Sequence, residues 1–133
     1  MFTDEPSQTE ALQLSFSEIR NAGWNPDGDL LWGYFFVDND PQKLNALRTH
    51  LERMGFTFVD ISALVNEDDQ PSGEHMLHVE KVEIHGPVSL AKRNVEFTDP
   101  ALEFGVRSYD GWDVGRVAAP PDATELIVGR EAR

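Results

Sequence analysis

Cysteine is absent from all 133 residues, which removes disulfide frameworks, thiolate zinc sites and cysteine nucleophiles in one step. Positive charge is scarce as well: 11 Lys and Arg stand against 24 Asp and Glu, a formal net charge of −13 at pH 7. A field of that sign repels phosphate backbones and anionic lipid, so neither nucleic acid nor a membrane is expected as a direct partner. The longest apolar run, Leu30 to Val37, falls far short of the ~18 residues of a membrane span. The first ten residues hold Asp4, Glu5 and Glu10 but no Lys or Arg, unlike a secretory leader, so a cytoplasmic location is expected. Glycine-rich phosphate loops, nucleophile elbows and His-Glu-x-x-His patterns are all missing. Catalysis and cofactors are therefore not expected.

What is present suits one globular domain over residues 1–133, long enough to bury a core without staples. Apolar residues make up 40%, with eight Phe, three Trp and two Tyr. The acidity is unevenly spread: residues 1–40 carry eight acids and only Arg20, and Glu67 to Glu74 adds four acids and no base. Such blocks read either as solvated loops or as a surface for a basic protein.

Ser7 stands three residues before Glu10 as a capping box, and Leu12, Phe16 and Ile19 recur at helical spacing until Gly23. This predicts a helix over 8–21. Leu30 to Val37 predicts a strand with two apolar faces, Leu30, Trp32, Tyr34 and Phe36 against Leu31, Gly33, Phe35 and Val37, hence a central strand covered on both sides. Asn39, Asp40 and Pro41 start a helix whose stripe is Leu44, Leu47, Leu51 and Met54, closed by Gly55. A strand Phe56 to Ala63, a mobile polar loop Asn66 to Glu74 and a strand His75 to His85 follow. Gly86 and Pro87 open a helix with Val88, Ala91 and Val95 on one face, which Pro100 must kink, break or restart. Arg107 to Val117 reads as the last strand, with a turn at Asp110 and Gly111, and residues 118–133, with Pro120 and Pro121, as a tail.

After the first helix the order is strand, helix, strand, strand, helix, strand, an α+β fold of the ferredoxin-like, split βαβ type with two helices on one face of an antiparallel sheet. The other face is covered either by the N-terminal helix or by a partner, a second copy included.

The histidines His50, His75, His78 and His85 do not make a metal site. His75 and His85 lie ten positions apart, roughly 33 Å along a strand, and His78 points the other way; they read as strand-surface imidazoles, with a carboxylate partner or a pH-reporting role open to one of them. Asp38 and Asp40 suit helix capping, and Glu67, Asp68 and Asp69 sit in a loop too loose for acid/base work. The remaining motif is Tyr109, Asp110, Gly111, Trp112, Asp113. It reads either as architecture, with Gly111 at positive φ and Trp112 in the core, or as an interface anchor of two rings flanked by acids. The candidate protein-binding residues are therefore Tyr109, Asp110, Trp112, Asp113, Glu67, Asp68 and Asp69.

With Leu31 to Val37, Pro41 to Met54, Phe56 to Ile61 and His78 to Ile84 in this order before Tyr109-Asp110-Gly111-Trp112, the chain resembles the family of the regulator of ribonuclease activity B, the ribonuclease E inhibitors, over roughly residues 30–117. The resemblance implies a ferredoxin-like sandwich and an acidic cytoplasmic protein that binds ribonuclease E and modulates RNA turnover without touching RNA. The extra N-terminal helix, Pro100 and the tail depart from the shared pattern. Two other readings remain: an immunity-type or adaptor protein with another partner, and a small-molecule-binding ferredoxin-like domain, which requires a deep pocket.

Overall fold

The computed structural model describes residues 5–117 and 127–128. Helix α1 spans Glu5–Asn21; it starts ahead of the Ser7 cap expected from sequence, with Pro6 in its first turn, where a missing N–H goes unnoticed. Strand β1 (Leu30–Asp38), helix α2 (Pro41–Arg53), strands β2 (Thr57–Val65) and β3 (Pro71–Glu83), helices α3 (Pro87–Glu96) and α4 (Thr98–Glu103), and strands β4 (Ser108–Arg116) and β5 (Ile127–Val128) follow.

The strand order is β2-β3-β1-β4-β5, and every pairing is antiparallel. With its two helical crossovers, the β2-β3-β1-β4 core is the ferredoxin-like arrangement. Strand β1 is central because its apolar residues alternate onto both faces. The start of α2 is fixed by two aspartates. Asp40 accepts from the Gln42 N–H at 2.9 Å, while Asp38 accepts from the N–H groups of Asp40 and Arg107, each at 2.8 Å.

Three helices stop alike. Each is followed by a glycine at positive φ (Gly23, Gly55, Gly105), and the next residue, Trp24, Phe56 or Val106, donates its N–H to the carbonyl five residues back. Those next residues are each 5% exposed, so the turn that satisfies the last carbonyls also delivers a hydrophobic group to the core.

Several details differ from the sequence expectation. Helix α1 does not cover the second sheet face; it lies beside α3 in the helix layer, with Phe16 stacked on Trp32 at 5.8 Å. An apolar stripe specifies burial but not which side of a sheet supplies it. The inward face of α3 is Leu90 and Ala91, continued by Phe97 and Ala101, whereas Val88 is 72% and Val95 45% exposed. Of the three outcomes expected at Pro100, the structure takes the restart: Thr98 Oγ1 donates to the Val95 carbonyl and α4 begins there. Strand β3 begins at Pro71, so only Asn66–Gln70 forms the hairpin turn and residues 71–74 belong to the strand. Of the expected tail, 127–128 adds a short strand beside β4 and the rest lies outside the described residues.

On the sheet face away from the helices, Gly33 sits between Glu80 and Asp113 in register. A Cβ there would lie 2.2 Å from Asp113 Oδ1 and 2.7 Å from His78 Nε2. The His78 ring is itself stacked on Phe35 at 4.4 Å, so it cannot retreat freely. Gly33→Ala is expected to lower stability by about 1–3 kcal/mol through overpacking, measured as a drop in the urea midpoint at unchanged slope.

Candidate functional site

The Tyr109 to Asp113 motif is built on a β-bulge. Phe35 pairs with Gly111 and Phe36 with Tyr109, leaving Asp110 as the extra residue, and Gly111 takes φ 115. Residues three apart on a regular strand face opposite ways. The inserted residue turns Tyr109 and Trp112 to the same side, toward the helices. Trp112 is 2% exposed, with its ring 5.6 Å from Trp32. Tyr109 packs on Phe36 and Phe97 and donates to Asn94 Oδ1 at 2.6 Å; burial pushes its phenol well above the usual range. Trp112 is a component of the core, and Tyr109 is partly buried against it. Asp113 is buried at 8% exposure on the opposite face, and Asp110 is half-buried.

The other candidates lie at the tip of the β2–β3 hairpin, which is tied down by its own backbone. Asn66 Oδ1 accepts from the N–H groups of Asp68 and Gln70 at 2.9 and 3.0 Å, and the Asn66 N–H donates to the Gln70 carbonyl at 2.8 Å. Asp69 takes φ 66 to close the turn. Glu67, Asp68 and Asp69 are all exposed. At the hairpin's base Glu74 pairs with Arg107, one residue ahead of β4. The structure thus joins the acidic hairpin to the entrance of β4 but leaves its tip carboxylates apart from Tyr109 and Trp112, which are turned inward.

A buried polar cluster fills the helix layer at the far end of β3; of its members the sequence suggested only that a histidine could meet a carboxylate. Glu83 Oε1 accepts from the Tyr34 hydroxyl at 2.8 Å and lies 3.0 Å from His85 Nε2, while Glu83 Oε2 meets Arg93 Nη2 at 2.7 Å. The Trp32 indole N–H donates to the Glu83 carbonyl at 3.1 Å. His85 Nδ1 lies 3.0 Å from Ser89 Oγ, which also accepts the Gly86 N–H at the start of α3. The Arg93 guanidinium lies over the Phe56 ring at 5.2 Å. Burial alone raises the Glu83 carboxyl, but hydrogen bonds from His85 and Tyr34 and the charge of Arg93 outweigh it and hold the group down at about 2. Burial and the adjacent Glu83 charge push the Tyr34 phenol far up. Among these residues a carboxylate held ionised and a phenol held neutral make a fixed tie between β1, β3 and α3. His85, read from sequence as a surface imidazole, is 7% exposed. The signal available in sequence was the spacing Glu83, His85, Ser89, Arg93 across a strand end and one helix face.

The remaining histidines are dispersed: His78 lies on Phe35, and His50 sits 5.3 Å from the Phe104 ring. Among the described residues no group of three His, Asp or Glu is placed to hold a metal ion, and no helix is long and apolar enough to cross a membrane.

The comparison with protein families finds a match over residues 9–114 to the model described as Regulator of ribonuclease activity B. The match begins within α1, so that helix belongs to the family pattern, which the sequence resemblance had confined to about 30–117. No curated protein matches the chain.

Proposed function

Since the chain belongs to the family of the regulator of ribonuclease activity B, we propose that it is a non-catalytic regulator that binds a basic ribonuclease of the ribonuclease E kind in the cytoplasm and lowers its activity. The observation that carries this is the family match across both crossovers of the fold. The net charge of −13 supports it, because an acidic domain meets a basic partner faster and avoids the RNA that the nuclease holds. The exposed carboxylates Glu67, Asp68 and Asp69 on the braced hairpin turn are the part of the earlier candidate set that a partner can reach. Asp110 flanks the same end of the sheet, whereas Tyr109, Trp112 and Asp113 support the fold beneath.

Charge reversal of the tip, Asp68→Lys with Asp69→Lys, is expected to weaken ribonuclease binding about tenfold at low salt and to flatten its salt dependence. Both substitutions lie on the exposed turn, and only the lysine at the φ 66 of Asp69 adds strain, about 1 kcal/mol, so the thermal midpoint falls by only a few degrees. Titration calorimetry at several salt concentrations measures this; unchanged affinity and slope would remove the hairpin tip from the interface.

A further inference from the structure

We propose that the outer edge of β2 receives an extended, basic segment of the ribonuclease as an added strand. The inference rests on the ribonuclease-binding reading and specifies the surface and the form of the partner. Among the described residues strand β2 is the last in the sheet order, and over its nine residues Thr57–Val65 it contains no Lys, Arg or Pro, which are among the residues that guard an open edge. Only Asp60 is charged. Phe58, Ile61 and Leu64 are half-buried, and Val59 and Val65 are 40% and 57% exposed. Register shifts between Phe58 and Asp60 and between Ala63 and Val65 blunt the edge at both ends and confine the stretch open to pairing to Asp60 to Ala63. At the sheet's opposite end, β4 already carries β5.

The surroundings fit an extended chain with alternating character. On the helix side, Phe58 and Ile61 pack at the margin of the core, and Arg48 of α2 covers Phe58 at 4.3 Å while its Nε lies 3.5 Å from Glu52. An arriving apolar side chain displaces only this surface pair. On the other face, Asp60 lies in register with His78, and Thr57 with Glu80. The hairpin acids Glu67, Asp68 and Asp69 continue from the strand's end. Backbone hydrogen bonds along the edge then supply affinity while alternate side chains, basic on one side and apolar on the other, supply selectivity. A second copy fits poorly, because two chains of net charge −13 repel, whereas a basic segment is drawn in.

The test is amide hydrogen exchange, resolved by residue, on the full chain alone and saturated with purified ribonuclease E, together with the affinity of Ala63→Lys, an exposed edge position. Exchange across Asp60 to Ala63 is expected to slow at least about tenfold in the complex. Ala63→Lys is expected to weaken binding about tenfold with an unchanged thermal midpoint, because a lysine on an edge obstructs strand addition. A complex that leaves the β2 amides unprotected overturns the edge assignment while the ribonuclease reading stands. No complex at all overturns both. Protection of β2 in the free chain, with a dimer seen in sedimentation, would assign the edge to a second copy instead.

Discussion

Glu83→Ala is expected to lower the unfolding free energy by about 3–5 kcal/mol, the range for removing one partner from a buried ion pair. The effect is large because one carboxylate serves several groups at once. Without it the Arg93 guanidinium loses its 2.7 Å partner, and the Tyr34 hydroxyl and His85 imidazole lose a shared acceptor. Tyr34 and His85 keep each other at 3.2 Å and Arg93 keeps Glu96 at 3.3 Å, but the closest countercharge of Arg93 is gone and the space between the Trp32, Phe56 and Phe97 rings is left with fewer acceptors than donors, which costs part of the desolvation penalty of each group. Glu83→Gln keeps the shape and one acceptor and so is milder. The same carboxylate makes the protein sensitive to acid. Its pKa is depressed from 4.5 to about 2 on folding, so its contribution is fully present above the unfolded value and is lost as pH falls from about 4.5 toward 2. Urea denaturation of wild type and Glu83→Gln at pH 7, 4 and 3 measures both effects, and the gap between the two should narrow as pH falls.

Trp112→Ala is expected to cost about 3–5 kcal/mol, as for other buried large-to-small changes. The ring is 2% exposed and packs on Trp32, which in turn touches Phe16 and His85. Truncation therefore opens a cavity that adjoins both α1 and the polar cluster. The neighbouring rings are held from several sides, so the site has little room to collapse. Trp112→Phe keeps part of the volume and should lose markedly less. In ribonuclease binding, the folded fraction of Trp112→Ala should retain near-wild-type affinity. A variant that loses binding at unchanged stability would return Trp112 to the interface.

The parts of the fold legible in sequence are those in which one residue pattern has one physical solution. The two apolar faces of Leu30 to Val37 require a central strand, the Asp40-Pro41 start and Gly55 stop frame α2, and Gly86-Pro87 opens α3. Location relative to the sheet was less legible: the stripe Leu12, Phe16, Ile19 fits either face, and only contact with Trp32 and α3 decides between them. The inward face of α3 is ambiguous in sequence because Val88, Ala91 and Val95 repeat as well as Leu90 and Ala91 do. Phe97 and Ala101, across the break at Thr98, resolve the choice. In the candidate site, Gly111 hinted at a bulge, but only the register shows that the bulge turns both rings inward. The Glu83 cluster was hidden because its members come from β1, β3 and α3, and an alternating polar residue near a strand end looks the same whether it faces water or a buried arginine.

The central claim, a regulator that acts on a ribonuclease by protein contact, is tested most directly by titrating the purified full chain into a ribonuclease E assay on a defined RNA while following RNA binding by the chain alone. The account predicts that the cleavage rate falls and saturates as the chain is added, with no complex between the chain and RNA. A rate that stays constant at saturating protein, or inhibition that comes only from the chain sequestering the RNA, would contradict it.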